Sequence, residues 1–352
     1  MNKIVLGLVA AGISTAALTT VPQMTAADTK TVNLYSYRQP FLIEPLIKKF
    51  SEETGIKVNI VFANKGMLEK IKAAGDNNPA DAVLTVDIGR LYALKAGGVF
   101  DPVQSKVLEA NIPANLRDPE GLWFGLTTRA RIAMVSKERV KEGELKTLED
   151  LADPRFKGRI CIRSGKHAYN VALIASMSAH HGEAKAEEWL KGVKANLARK
   201  PQGNDRAQAK AVYEGVCDVA IANTYYMGAM MTNDKNPEQK KWADAVRITF
   251  LNQGDGGRGQ HVNVSGVGVL KGAKHRAEAV KLVEWLSSDE AQHIYAEVNH
   301  EYPANPEVAA SDLVKAWGSF KVDQLPMEEI AKLRDEASKL VDKVNFDEGP
   351  TS

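Results

Sequence analysis

From Thr31 onward, short apolar runs alternate with helical stretches three times within roughly seventy residues. Thr31-Val32-Asn33-Leu34-Tyr35-Ser36 reads as a strand. Phe41, Leu42, Pro45, Leu46 and Phe50 then fall close to helical spacing, and Gly55 stops that helix. Residues 57–63 read as the second strand and 67–74 as the second helix. Residues 82–86 and 88–95 repeat the pattern, ending at Gly97-Gly98. This alternation predicts a mainly parallel sheet with helices on both faces.

The later pattern predicts a second lobe. Residues 123–127 and 131–135 read as two further strands that carry the chain across. Beyond them come a strand at 159–163, helices near 170–179 and 184–197, and a strand at 217–222. Residues 247–251 and 262–270 read as paired strands that return to the first lobe, joined by the glycine-rich loop 253–259. Helices at 277–287, 290–298 and 327–341 follow. The expectation is a clam of two α/β lobes, the first built from 28–129 plus 254–302 and the second from 130–253 plus 303–352. Ligands of such folds sit between the lobes, at the carboxyl ends of strands.

Met1-Asn2-Lys3, an apolar stretch at 4–18 and small residues at Thr25-Ala26-Ala27 read as a secretory signal peptide over residues 1–27. A membrane anchor fits less well, because Gly7, Gly12, Ser14 and Thr15 break the apolar stretch. No cysteine lies near the cleavage zone, so no lipid-anchored start is expected. The destination is the periplasm or an equivalent exported space. There Cys161 and Cys217 form either one disulfide or two buried thiols. A formal charge of +2 offers nothing to nucleic acid or to an anionic membrane.

The strand at 217–222 runs into Asn223-Thr224-Tyr225-Tyr226. Neighbouring strand residues point to opposite faces, but at a strand-to-helix turn both side chains can swing to one side. Tyr169 follows the strand at 159–163 after a short polar stretch. The three phenols would converge at one edge of the cleft. A single tyrosine there usually packs or hydrogen-bonds at the rim; three in equivalent places point to a shared task. Hard cations prefer oxygen donors. A phenol with a pKa of about 10 yields its proton at neutral pH only to a strongly charged cation, which a trivalent ion is and sodium is not.

Arg38, in Tyr35-Ser36-Tyr37-Arg38-Gln39-Pro40, precedes the first helix, and Arg129 lies at the first crossing. Both can place a guanidinium in the cleft to hold an anion. They can equally be solvated or paired with surface carboxylates. Three phenolates neutralise a trivalent cation, and two arginines balance a carbonate. His180-His181 reads as a cap on the exposed end of a helix before Gly182. His261 and Asn263 are candidates to line the cleft. Asp87 and Arg90 read as rim residues or as a pair along their helix.

Five segments together resemble the ferric-iron-binding periplasmic proteins that feed ABC importers. They are Asn33-Leu34-Tyr35-Ser36-Tyr37-Arg38, Ala82-Val83-Leu84-Thr85-Val86-Asp87, Gly125-Leu126-Thr127-Thr128-Arg129-Ala130-Arg131, Ala222-Asn223-Thr224-Tyr225-Tyr226 and His261-Val262-Asn263-Val264-Ser265-Gly266. The resemblance spans essentially the whole mature chain. It implies an α/β bilobal type II periplasmic-binding-protein fold, with two lobes joined by two hinge strands. It implies Fe(III) ligation by Tyr225 and Tyr226, with Tyr169 as the third phenolate. Many members carry a His-Tyr pair after the first-strand arginine; here Gln39-Pro40 stands instead, and proline cannot ligate. The resemblance therefore points to the branch with a synergistic anion such as carbonate, held by Arg38 and Arg129 with Gln39. The partner implied is an ABC permease in the inner membrane, and the receptor is expected to be a monomer.

No nucleophile–base motif, phosphate loop or zinc-type spacing is present in the sequence, so no enzyme is expected. The rival readings are a receptor for a carboxylate, sugar or polyamine, with the tyrosines as walls, and an exported hydrolase or lyase.

Overall fold

The computed structural model describes residues 30–63 and 65–350. The signal peptide expected over residues 1–27 lies outside them. Among the described residues the nine strands are β1 Thr31–Ser36, β2 Lys57–Phe62, β3 Ala82–Thr85, β4 Phe124–Ser136, β5 Ile160–Cys161, β6 Val219–Asn223, β7 Val246–Thr249, β8 Val262–Val269 and β9 Tyr302–Pro303. Their order is β2-β1-β3-β8-β4-β6-β5, with β7 and β9 also on β4. The architecture is bilobal α/β, as expected.

Among these strands, parallel pairing is confined to β2-β1-β3 in one lobe and β5-β6 in the other. The junctions between them are antiparallel: β3 with β8, and β4 with β6, β7, β8 and β9. The parallel sheet expected from the first three strand–helix repeats is present as β2-β1-β3, and antiparallel strands join it to the second parallel pair.

The two strands expected at 123–127 and 131–135 are one. Thr128-Arg129-Ala130 carries no turn residue and stays extended, paired with Val264, Asn263 and Val262. All thirteen residues of β4 are buried. Residues 124–130 pair with β8 in the first lobe, and 131–136 pair with β6 and β7 in the second. The strands expected at 247–251 and 262–270 do not pair with each other; they lie end to end along β4. A short third strand, β9, joins the hinge at Thr127 and Thr128.

Helix Pro40–Thr54 starts with proline at its first position and ends at Gly55, whose φ of 69° is open to glycine at little cost. Its buried face is Ile43, Leu46, Ile47 and Phe50. Phe41, expected in that face, is exposed at the cleft rim. The last expected helix is two, Met327–Lys332 and Arg334–Lys343, packed on helix Ala168–His181. Cys161 and Cys217 form a disulfide that ties β5 to the residues before β6. Among the described residues no helix is long and apolar enough to cross a membrane.

Candidate metal centre

The strand ends of the second lobe position the phenols. Tyr225 and Tyr226 are the first two residues of helix Tyr225–Met231, one residue beyond β6, and their ring centroids lie 4.4 Å apart. Tyr169 is the second residue of helix Ala168–His181, which follows β5. Because β5 and β6 are parallel neighbours, their carboxyl ends bring both helix starts to one edge. The Tyr225 hydroxyl donates to the Tyr169 hydroxyl at 3.1 Å. Cis oxygens around a small octahedral cation, at bonds of about 2.0–2.1 Å, are about 2.9 Å apart. The two oxygens already stand at the bite of such an ion.

A buried ionic network holds this edge. Asp205, at the start of helix Asp205–Tyr213, accepts from Arg131 at 2.6 Å, from Arg163 at 3.1 Å and from the Asn223 backbone at 2.9 Å. Arg131 also donates to Asn170 at 2.7 Å and to Asn223 at 3.0 Å. Both guanidiniums face the Tyr169 ring, at 5.8 and 5.5 Å, and Arg206 faces the Tyr226 ring at 5.2 Å. Removing one member of a buried pair leaves an uncompensated charge, so the arrangement is strongly specified.

Burial pushes the Tyr225 phenol well above its ordinary range, reinforced by Tyr169, Tyr226 and Asp205. Burial also raises Tyr226, with Asp205 adding to it. Both are neutral phenols at neutral pH until a cation displaces their protons. Among the described residues no cluster of three or more His, Cys, Asp or Glu side chains could hold a metal, so the donors at this edge are phenolic. Such a donor set suits a hard, highly charged ion and not a soft one.

The facing wall is cationic. Arg38, Gln39 and Arg129 line the same cavity of about 690 Å³ as the three tyrosines. The Ser265 hydroxyl accepts from Arg38 Nη2 and from Arg129 Nη1, each at 2.6 Å. Glu301 pairs with Arg38 at 2.9 Å and accepts from the Thr127 hydroxyl. Burial opposes its charge, but Arg38 and Arg129 outweigh that and hold Glu301 below the usual carboxylate range. Two guanidiniums and one carboxylate leave this wall at +1. Nε of Arg38 and Nε of Arg129 are buried without a hydrogen-bond partner. Two unpaired donors on buried cations suit an anion.

Not every candidate reaches the cleft. Asn263 donates to Asp87 at 2.8 Å and accepts from the Ile88 backbone at 3.0 Å, so both residues fasten the start of helix Ile88–Ala96. His261 is buried away from the cleft lining, its pKa pushed down to about 3 by burial and by Arg131. His180 and His181 do not cap their helix; they pair with Asp323 and Glu149, each at 2.7 Å. Arg90 lies over the Tyr37 ring at 4.4 Å.

Sequence reasoning missed Glu301, Asp205, Arg206, Asn299 and His300, and named Ser265 only within a segment. An isolated carboxylate has no spacing to betray it. The polar run Asn299-His300-Glu301 directly after an amphipathic helix was the available signal. Asn299 lines the cavity with both side-chain polar atoms buried and unpartnered. A second cavity of about 500 Å³, lined by Pro113, Leu116, Tyr302, Phe320 and neighbours, holds none of the phenols or cleft arginines.

Residues 62–322 match the family described as bacterial extracellular solute-binding protein. The chain is 45% identical to iron uptake protein A1 of Synechocystis over 323 residues, covering 92% of this chain and 89% of that protein. It is similar in structure to ferric iron-binding protein A of Mannheimia haemolytica in an open conformation. That match has a TM-score of 0.85 and 51% identity, and covers 90% of this chain and 99% of the other. A Trichodesmium protein solved in complex with iron and citrate matches with a TM-score of 0.86 and 45% identity, over 90% of this chain and 99% of that one.

Proposed function

The chain belongs to the bacterial extracellular solute-binding proteins, and from that premise we propose that it is the periplasmic Fe(III) receptor of an ABC importer. It is not an enzyme. It captures ferric iron in the cleft, closes over it and hands it to a membrane permease. Tyr169, Tyr225 and Tyr226 are the protein's metal ligands, each giving up its phenolic proton. A synergistic anion, carbonate or a similar oxyanion, fills the remaining coordination positions against Arg38, Gln39 and Arg129. The lobes are 28–129 plus 254–302 and 130–253 plus 303–352, and residues 1–27 are the cleaved signal peptide. The receptor works as a monomer.

The observation that carries this reading is the 3.1 Å approach of the Tyr225 and Tyr169 hydroxyls with Tyr226 beside them in the cleft. The relatives' names, which include iron uptake and ferric iron binding, support the same cargo. The test is spectroscopic. Purified receptor loaded with a ferric salt in carbonate buffer develops a phenolate-to-iron charge-transfer band in the visible; a loaded protein that stays colourless would sink the reading.

A further inference from the structure

Two helix glycines each carry a side chain from an element distant in sequence. Gly89 lies in the first turn of helix Ile88–Ala96, and the Arg334 guanidinium lies over it so closely that a β-carbon at Gly89 would stand 2.0 Å from Nε. Arg334 opens a helix packed on Ala168–His181. It donates at 3.0 Å to the carbonyl of Ala168, the residue before Tyr169, and approaches the Asp87 carboxylate at 3.4 Å. Gly228 lies two residues beyond Tyr226 in helix Tyr225–Met231, and the His300 side chain rests on it. A β-carbon at Gly228 would stand 2.6 Å from His300 Cγ and 2.8 Å from its Cβ. His300 ends helix Asp289–Asn299 in the left-handed region, with φ 54°.

Neither glycine has a positive φ, so backbone conformation does not require glycine at either place. Inside a helix glycine is the poorer choice beside alanine. Close approach of another group is the remaining reason for it. Each contact also adjoins a phenol: Arg334 through Ala168 to Tyr169, and His300 through Gly228 to Tyr225 and Tyr226. Resting on the ferric reading, we propose that Gly89 and Gly228 are landing points for two cross-cleft latches, Arg334 and His300, which hold the lobes closed over the loaded phenols. Both latch residues are positioning residues; neither touches the metal.

The test places a methyl wedge under each latch. Gly89→Ala and Gly228→Ala are compared with wild type by small-angle scattering, by the visible band, and by iron release to EDTA. Both variants fold, since alanine favours the helix, and both keep the band, since all three phenols stand on one wall. Gly228→Ala, whose methyl meets His300 close to its backbone, does not compact on loading; Gly89→Ala displaces the end of the Arg334 side chain and so loses that latch; each releases iron at least about tenfold faster. Adding His300→Ala to Gly228→Ala removes that clash and restores compaction, and adding Arg334→Ala to Gly89→Ala changes nothing further; in both double variants the latch is still missing, so iron release stays as fast as in the single variants. Single variants that compact and release iron like wild type overturn the proposal. So does loss of fold, which would make these contacts permanent structure and not latches. A wild type without the band fails the ferric reading itself; a wild type with the band and variants that match it fail the latches alone.

Discussion

Burial holds the Tyr225 and Tyr226 phenols neutral until a cation arrives, whereas the facing wall carries the Arg38–Glu301 ion pair and the Arg129 guanidinium. The phenols are held by backbone geometry, at the starts of two helices on parallel strands. The arginines are held by one another's partners, through Ser265 and Glu301. On the proposed ferric reading, each wall has its own task. Latent anions give selectivity, because only an ion strong enough to displace phenolic protons repays their desolvation. Fixed cations give an anion a place before any metal binds.

The sharpest way to break that division is to remove one phenolic oxygen. Tyr225→Phe or Tyr226→Phe loses more than about a thousandfold in ferric affinity, because partners outside the coordination shell already cost 10–100-fold and a ligand costs more. Competition against a chelator measures it, with the charge-transfer band as readout. Near-wild-type affinity in either variant would show that the phenols are only walls.

The same wall sets the response to pH. Burial keeps the Tyr225 and Tyr226 phenols protonated well beyond neutral pH in the free protein. Binding therefore releases a proton from each phenol that ligates, so affinity falls as pH falls. At fixed free Fe(III) the fall is about tenfold per pH unit for each such phenol. A titration series between about pH 6 and 8 checks it; a flat profile would contradict phenolate ligation.

The two walls were unequally legible in the sequence. The phenols were readable because strand, turn and helix start are local events, and Tyr225-Tyr226 and Tyr169 each stand just past a recognisable strand. The arginine wall was half legible. Arg38 and Arg129 were visible beside their strands, but Glu301 comes from 263 residues beyond Arg38, and pairing at that range has no sequence spacing. The expected balance of two arginines against a carbonate therefore omitted one charge. The same limit explains the hinge. Strand runs were visible at 123–127, 131–135 and 262–270, yet the union of the first two into one β4 depended on Thr128-Arg129-Ala130 remaining extended, which long-range pairing with β8 decides.

A gentler perturbation isolates the arginine wall. Arg129→Met removes one of the two cations and leaves the Arg38–Glu301 pair intact, so the wall becomes neutral. Ferric affinity then falls by about 10–100-fold, the usual cost of an outer partner. The loss appears as insensitivity to carbonate: wild type binds more tightly in carbonate buffer than in its absence, and the variant binds alike in both. A variant that keeps the carbonate effect would assign the anion to other residues.

The smallest effect on binding is expected from the covalent tie beneath the phenols. The Cys161–Cys217 disulfide links β5 to the approach of β6, the two strands whose ends carry all three tyrosines. Its sequence separation of 56 corresponds to about 4 kcal/mol in the chain-entropy account, and measured values more often fall near 2–4 kcal/mol. That contribution acts through the unfolded chain. The folded edge is fixed independently, by the parallel pairing of β5 with β6 and by Asp205 bridging Arg131, Arg163 and Asn223. Replacing both cysteines by serine therefore lowers unfolding free energy by about 2–4 kcal/mol in denaturant melts, while the charge-transfer band and the chelator competition stay as in wild type. If affinity falls along with stability, the phenol wall is held by its disulfide as well as by its strands, and the division between a locally fixed wall and a mutually fixed one weakens.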